Sequence, residues 1–86
     1  MSYSIRIKGS AAKAIRKLHP LERRRLVEAI DRLATEPHAG SVLKGEFAGL
    51  RRIRVGSYRI IYEARDEELV ILVVRVAHRR EAYRSK

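Results

Sequence analysis

The sequence predicts an α+β fold, in which an N-terminal strand and a helical hairpin pack on a twisted antiparallel sheet of about four strands. Three observations predict it: helical spacing of apolar residues between positions 11 and 34, three β-rich segments between positions 50 and 77, and a Gly-Ser pair joining two of those segments. The chain has 86 residues, of which 45% are apolar and 35% are charged. This suits one compact domain over residues 1–86 and excludes a two-domain enzyme.

The N-terminal part predicts one strand and two helices. Apolar residues alternate with polar ones at the start, which is the period of a half-buried strand: Tyr3, Ile5 and Ile7. The first helix is predicted from Ala11 to Leu18, with Ser10 as its N-cap. The second begins at about Pro20, because proline suits the first turn of a helix, and Glu36-Pro37 closes it. The short link between them predicts a helical hairpin.

The C-terminal part predicts an antiparallel three-stranded meander. Its strands are rich in Ile, Val, Tyr and Leu and are separated by short polar segments: Leu50 to Val55, Tyr58 to Ala64, and Leu69 to Ala77. The unbroken apolar run from Leu69 to Val74 indicates a strand covered on both faces. Before the meander, the Gly-containing segment 37–49 predicts a loop with one short strand near Val42 to Lys44.

Strand register predicts a cluster of arginines. If Gly56-Ser57 forms a two-residue hairpin loop, then Arg54 faces Arg59 and Arg52 falls on the same side of the sheet. With an even-numbered loop at 65–68, Val74, Val76 and His78 also fall on that side, provided that no bulge intervenes.

Two interpretations of these arginines stay open. On a basic protein, exposed arginines commonly form a solvated face without further function. Convergence of the cluster across two strands weighs against this, as does the absence of acidic residues between Glu46 and Glu63. Clustered like charges lower stability, and such conflicts tend to mark functional sites.

Charge and composition narrow the classes of function. The chain carries 20 Lys and Arg against 10 Asp and Glu, a net charge of +10 with a pI near 10.9, which favours an anionic partner. It has no cysteine, and its three histidines are scattered, so we expect no metal and no other cofactor. No signal peptide or membrane-spanning run is evident, and we expect a soluble cytoplasmic protein without a membrane partner.

The order of these features resembles a known toxin superfamily. A strand and a helical hairpin precede Leu43-Lys44-Gly45, then an Arg-x-Arg-x-Gly-x-Tyr-Arg stretch at 52–59, and His78-Arg79 begins a basic terminal segment. This pattern is similar to the RelE/ParE toxins of type II toxin–antitoxin modules, whose fold is of the RelE-like, microbial-RNase type. The resemblance implies a cognate antitoxin, extended and partly helical, that wraps the toxin in a hetero-oligomer. A toxin of charge +10 would favour an acidic antitoxin.

The resemblance also implies two possible activities. RelE-like members cleave mRNA in the ribosomal A site, whereas ParE-like members poison DNA gyrase and have no nuclease site. The positions of the RelE-like site are all filled here, which favours that branch: Arg59, Arg79 and Tyr83, with Arg52 and Arg54 as the basic pair. Further basic residues are candidates for RNA binding: Lys44, Arg51, Arg80 and Arg84. A basic nucleic-acid-binding module without activity is a third interpretation, and the least favoured.

The implied chemistry needs no metal. The 2′-hydroxyl of the message attacks the adjacent phosphate, arginines stabilise the developing charge, and Tyr83 orients a base. The RelE-like basic pair is often lysine, whereas arginine, with a pKa above about 12, is a poor proton acceptor. His78 is therefore the alternative general base, because an unperturbed imidazole titrates near neutrality.

Overall fold

The computed structural model describes residues 2–78. Two helices follow the first strand and four strands follow the helices: β1 Ser4–Ile7, α1 Gly9–Arg16, α2 Pro20–Arg32, β2 Ser41–Val42, β3 Arg51–Val55, β4 Tyr58–Arg65 and β5 Val70–His78. A short 3₁₀ turn, Gly45–Phe47, lies between β2 and β3. The predicted α+β fold is confirmed. No helix in this part of the chain is long and apolar enough to cross a bilayer.

The five strands form one mixed sheet in the order β1-β5-β4-β3-β2. Strands β2 to β5 pair antiparallel, but β1 pairs parallel with β5, so the expectation of an all-antiparallel sheet of about four strands is corrected. Parallel neighbours need a long crossover rather than a tight turn, and the helices lie within that crossover. Short-range hairpin signals, which predicted the meander, carry no information about such a pairing.

The β3–β4 hairpin has the register predicted from its turn. Val55 pairs with Tyr58, and Arg54 pairs with Arg59. Gly56 has a positive φ of 60°, which suits a two-residue hairpin loop that begins with glycine.

A β-bulge interrupts the β4–β5 ladder. Ile61 pairs with Arg75 and Tyr62 pairs with Val73, so Val74 is an extra residue on β5. An extra residue shifts the alternation of side chains beyond it by one position. Arg75 therefore shares a sheet face with Ile61.

The bulge overturns the predicted orientation of the end of β5. Val76 and His78 pair with Ile60 and Tyr58, which place them on the helix side of the sheet rather than on the face of Arg59. The His78 ring meets the Tyr58 ring edge to face, with centroids 5.7 Å apart and an interplanar angle of 78°. The prediction that Val76 and His78 share a sheet face with Arg59 is wrong, because the length of the β4–β5 loop alone does not determine the register of the whole ladder.

Both helices cover one face of the sheet. Leu26, Ile30 and Leu33 of the α2 segment are each at most 2% exposed and belong to one core cluster with Ile60 and Tyr62. The first helix begins at Gly9, after Lys8 and without a side-chain cap, so the predicted N-cap Ser10 lies inside its first turn. In the second, the His19 ring accepts a hydrogen bond from the Leu21 amide at 3.2 Å. The opposite face of the sheet is left without a helix from residues 2–78.

Candidate nucleic-acid interface

Four arginines lie on neighbouring positions of the sheet face opposite the helices. We call this surface the arginine face; its members are Arg52 and Arg54 on β3, Arg59 on β4 and Arg75 on β5. Arg54 and Arg59 lie directly opposite each other across the hairpin. Like charges at directly opposite positions destabilise a sheet, so this arrangement costs free energy in the unbound protein.

An isoleucine forms the floor of the cluster. Ile61 pairs with Arg52 on one side and Arg75 on the other, and it is only 1% exposed although it points away from the helices. The Nε atoms of Arg59 and Arg75 are themselves inaccessible to solvent. Arginine side chains cover apolar surface with their methylene stems and keep the guanidinium group outward. The cluster thus has a packed base, which limits the freedom of its side chains.

The charge along this side of the sheet changes sign from one end to the other. Near the β4–β5 turn, Arg65 donates to Glu63 at 2.9 Å and lies 3.8 Å from Glu68. The hydrogen bond to Glu63 is the main cause of a raised pKa for Arg65. At the other end, the hairpin from Arg51 to Tyr62 contains no acidic residue. A polyanion is therefore attracted to the arginine face and repelled from the β4–β5 turn.

Two predicted RNA-binding residues lie away from the arginine face. Arg51 pairs with Tyr62 and so shares the helix side; its guanidinium donates to the Gly40 carbonyl at 3.0 Å. Lys44 is exposed in the connection between β2 and β3. It comes before the first residue of β3, whereas Arg54 lies near the end of that strand. Neither Arg51 nor Lys44 therefore belongs to the arginine face.

Four predicted site residues lie outside the described part of the chain: Arg79, Arg80, Tyr83 and Arg84. The described chain ends at His78, opposite Tyr58, next to Arg59 in the ladder. The roles of the four residues beyond His78 therefore stay predictions.

Sequence reasoning missed Arg75. Its position on the arginine face depends on the bulge at Val74, and an unbroken apolar run gives no sign of where an extra residue lies. The signal that could have found it is its charge, because an uncompensated arginine is disfavoured on a core face.

A buried tyrosine holds the strand that carries Arg52. The Tyr62 hydroxyl donates to the Pro37 carbonyl and accepts from the Gly40 amide, both at 2.9 Å. Burial raises the pKa of Tyr62, against the opposing effects of the Gly40 amide and Arg51. Gly40 packs so closely that an added Cβ would lie 2.8 Å from the carbonyl oxygen of Arg52. These contacts fix β2 and β3 against β4.

A second polar cluster, at the β4–β5 turn, joins three segments of the chain. One carboxylate oxygen of Asp66 accepts from the Tyr3 hydroxyl and lies against the His38 ring, both at 2.8 Å. The hydrogen bond from Tyr3 is the main cause of a lowered pKa for Asp66, and the same bond raises the pKa of Tyr3. The cluster is exposed and links the β4–β5 turn to β1 and to the loop after α2.

The chemistry available at the arginine face is anion binding. Guanidinium groups donate two parallel hydrogen bonds to a phosphate and stay protonated at neutral pH. Within residues 2–78, no three His, Asp or Glu side chains come together in a way that could hold a metal ion. The described residues thus offer charge and orientation to a phosphodiester.

Known toxins are similar to this chain over nearly its whole length. The family described as the ParE toxin of type II toxin-antitoxin system, parDE, matches residues 5–83. Toxin RelG of Mycobacterium tuberculosis is 36% identical over 86 residues, which cover 98% of this chain and 99% of RelG.

Solved structures of toxin–antitoxin complexes contain chains of the same fold. One is a chain of the RelBE2 complex of M. tuberculosis, with a TM-score of 0.84 and 32% identity, covering 91% of this chain and 99% of that one. Another is a chain of the archaeal RelE–RelB complex of Pyrococcus horikoshii, with a TM-score of 0.77 and 33% identity, covering 95% of this chain and 100% of that one.

Proposed function

Because the chain belongs to the RelE/ParE family and is a toxin of a type II toxin–antitoxin module, we propose that it is a ribosome-dependent endoribonuclease. It cuts mRNA in the A site and so inhibits translation. The observation that carries this proposal is the arginine face, where four arginines occupy neighbouring positions on one side of the sheet around a packed apolar floor. Such a surface suits the phosphodiester backbone of a single strand.

The reaction is a metal-free transesterification. The 2′-oxygen of one nucleotide attacks the adjacent phosphorus, the bond from phosphorus to the 5′-oxygen breaks, and the products carry a 2′,3′-cyclic phosphate and a 5′-hydroxyl. The 2′-proton leaves to an acceptor, and the departing 5′-oxygen gains a proton. Arg59 and Arg54, opposite each other across the hairpin, bind the phosphorane oxygens as their negative charge grows. By resemblance, Arg79 either protonates the leaving oxygen or acts as a second clamp on the phosphate, and Tyr83 orients a base.

Orientation and charge stabilisation account for most of the proposed catalysis. Arginine is a poor proton acceptor, and His78 lies on the helix side of the sheet against Tyr58, away from the arginine face. A ribosome that holds the message in line with the arginines supplies the orientation, which can contribute several kcal/mol. This favours a slow enzyme with little activity on free RNA.

A cognate antitoxin is the proposed partner in the cytoplasm. Similar chains are found in the RelBE2 and RelE–RelB complexes. We expect an acidic antitoxin that forms a hetero-oligomer with this toxin, because a net charge of +10 favours an anionic partner.

Primer extension on purified ribosomes tests the proposal. A defined message is programmed into the A site and incubated with the wild-type toxin, the Arg59→Ala variant, or the Arg6→Ala variant. Arg6 is the matched control because it is an exposed arginine on the same side of the sheet, on β1, where it pairs with Leu72 and with no member of the arginine face. We expect cuts within the A-site codon that vanish in Arg59→Ala and persist in Arg6→Ala. Cleavage by Arg59→Ala at the wild-type rate would refute the site.

Gyrase inhibition is the second candidate function, favoured by the ParE description of the matching family. In that case the arginine face is a docking surface and no RNA is cut. A supercoiling assay with purified gyrase distinguishes the two: blocked supercoiling without mRNA cleavage supports gyrase inhibition, and unaffected supercoiling at saturating toxin excludes it.

A further inference from the structure

We propose that Arg75 forms a separate phosphate subsite on the β5 side of the arginine face, which binds an RNA phosphodiester next to the one that is cleaved. This inference rests on the proposed function, since it assigns part of the substrate's path. Arg75 lies outside the set of residues that the toxin resemblance implies for the site, and its role follows from the geometry of β5.

The bulge at Val74 is what turns Arg75 toward the arginine face. If the pairing of Tyr62 with Val73 continued without an extra residue, Arg75 would face Ile60, which is 0% exposed in the core. The register shift instead pairs it with Ile61 on the open side. Bulges are common next to active sites, where they redirect a side chain. The ladders within residues 2–78 shift register at this point only.

The sheet places Arg75 at a distance that suits a neighbouring phosphate. Arg59 pairs with Ala77, so Arg75 occupies the diagonal position, roughly 7–8 Å away. Arg52 lies two strand spacings from Arg75, about 10 Å across Ile61. The backbone positions of Arg52, Arg59 and Arg75 together suit an RNA strand that crosses the sheet from β3 to β5.

The small residue beside Arg59 opens the way to this subsite. Ala77 projects only a methyl group between Arg59 and the edge of the face, and Ile61 supplies an apolar floor under Arg75. An extended nucleotide can lie over Ala77 while its flanking phosphates meet Arg59 and Arg75. Arg75 thus binds substrate without taking part in proton transfer.

Substrate binding and structural support predict different results for substitutions of Arg75. Arg75→Met keeps an unbranched stem over Ile61 but removes the charge, and Arg75→Lys keeps the charge but loses the fork of donors. Arg6→Met makes the same charge change on β1, where the arginine is exposed and outside the cluster. If Arg75 only covers Ile61, then Arg75→Met behaves like wild type in every RNA measurement.

Two measurements test the subsite. The first is the fluorescence anisotropy of a labelled single-stranded RNA hexamer, titrated with toxin at several salt concentrations. We expect Arg75→Met to reduce the slope of log K against log salt by about 0.7, the value for one single-strand phosphate. We expect Arg6→Met and Arg75→Lys to keep the wild-type slope, and Arg75→Lys to bind more weakly at each salt concentration because it loses the fork of donors. A wild-type slope for Arg75→Met, with the variant's thermal melt unchanged, would overturn the subsite.

The second measurement is single-turnover cleavage on programmed ribosomes at increasing toxin concentration. Arg75→Met should raise the half-saturating concentration about tenfold and leave the maximal rate unchanged, since the lost contact acts on binding. A fall in the maximal rate at unchanged half-saturation would overturn the assignment. If the wild type cuts no message but Arg75→Met still lowers the salt slope, Arg75 still binds an RNA phosphate and the nuclease proposal falls. If the wild type cuts and Arg75→Met matches Arg6→Met, only the subsite falls.

Discussion

Removing the Tyr62 hydroxyl should destabilise the protein far more than the loss of one oxygen atom suggests. Tyr62 is 0% exposed, and its hydroxyl bonds both the Gly40 amide and the Pro37 carbonyl at 2.9 Å. In Tyr62→Phe the buried Gly40 amide loses its partner, at a cost of about 1–3 kcal/mol. The half-buried Pro37 carbonyl adds about 0.5 kcal/mol, because it can still reach water. We expect a total of about 1.5–3.5 kcal/mol.

Thermal and urea unfolding followed by circular dichroism measure this loss. For a chain of this size, a loss of about 1.5–3.5 kcal/mol lowers the melting temperature by about 6–28 °C. Tyr3→Phe is the matched control, since it also removes one hydroxyl, but its partner Asp66 remains in water. We expect the control to melt close to wild type. A free energy of unfolding for Tyr62→Phe within about 0.5 kcal/mol of wild type would refute the reasoning.

Two further changes test the described contacts. Gly40→Ala places a Cβ 2.8 Å from the carbonyl oxygen of Arg52 and should cost about 2 kcal/mol in urea unfolding, whereas Gly9→Ala, with open space around it, should be nearly neutral; equal urea midpoints would contradict the clash. The hydrogen bond from Tyr3 lowers the pKa of Asp66, so this carboxylate stabilises the fold above its unfolded pKa and loses that effect as pH falls through the lower folded pKa. Between pH 6 and 2, the urea midpoint should therefore fall less in Asp66→Asn than in wild type, and parallel curves would refute the linkage.

Local patterns predicted the hairpin at the centre of the site. The Gly56-Ser57 turn fixes which residues face each other, and the two-residue period of a strand then puts Arg52, Arg54 and Arg59 on one side. Both steps use only neighbouring residues, and the structure confirms both. The helical hairpin followed in the same way from apolar spacing and Pro20.

Long-range and irregular features could not be predicted in this way. The apolar run from Leu69 to Val74 has no alternation, so it does not reveal the extra residue that redirects Arg75 and His78. The parallel pairing of β1 with β5 joins segments separated by nearly the whole described chain, and no local signal specifies it. Tyr62 was predictable as core, but its bonds to the loop after α2 depend on a tertiary contact.

The pairing of the first strand with the last governs when the molecule can fold during its own synthesis. Among the described elements β1 leaves the ribosome first, yet its only sheet neighbour there is β5, which is made after all the others. Arg75 is synthesised as part of β5, after the β3–β4 hairpin that carries Arg52, Arg54 and Arg59. Contacts between such distant segments form slowly and only after the intervening chain is present. The nascent toxin therefore carries no complete arginine face while most of its chain is still being translated.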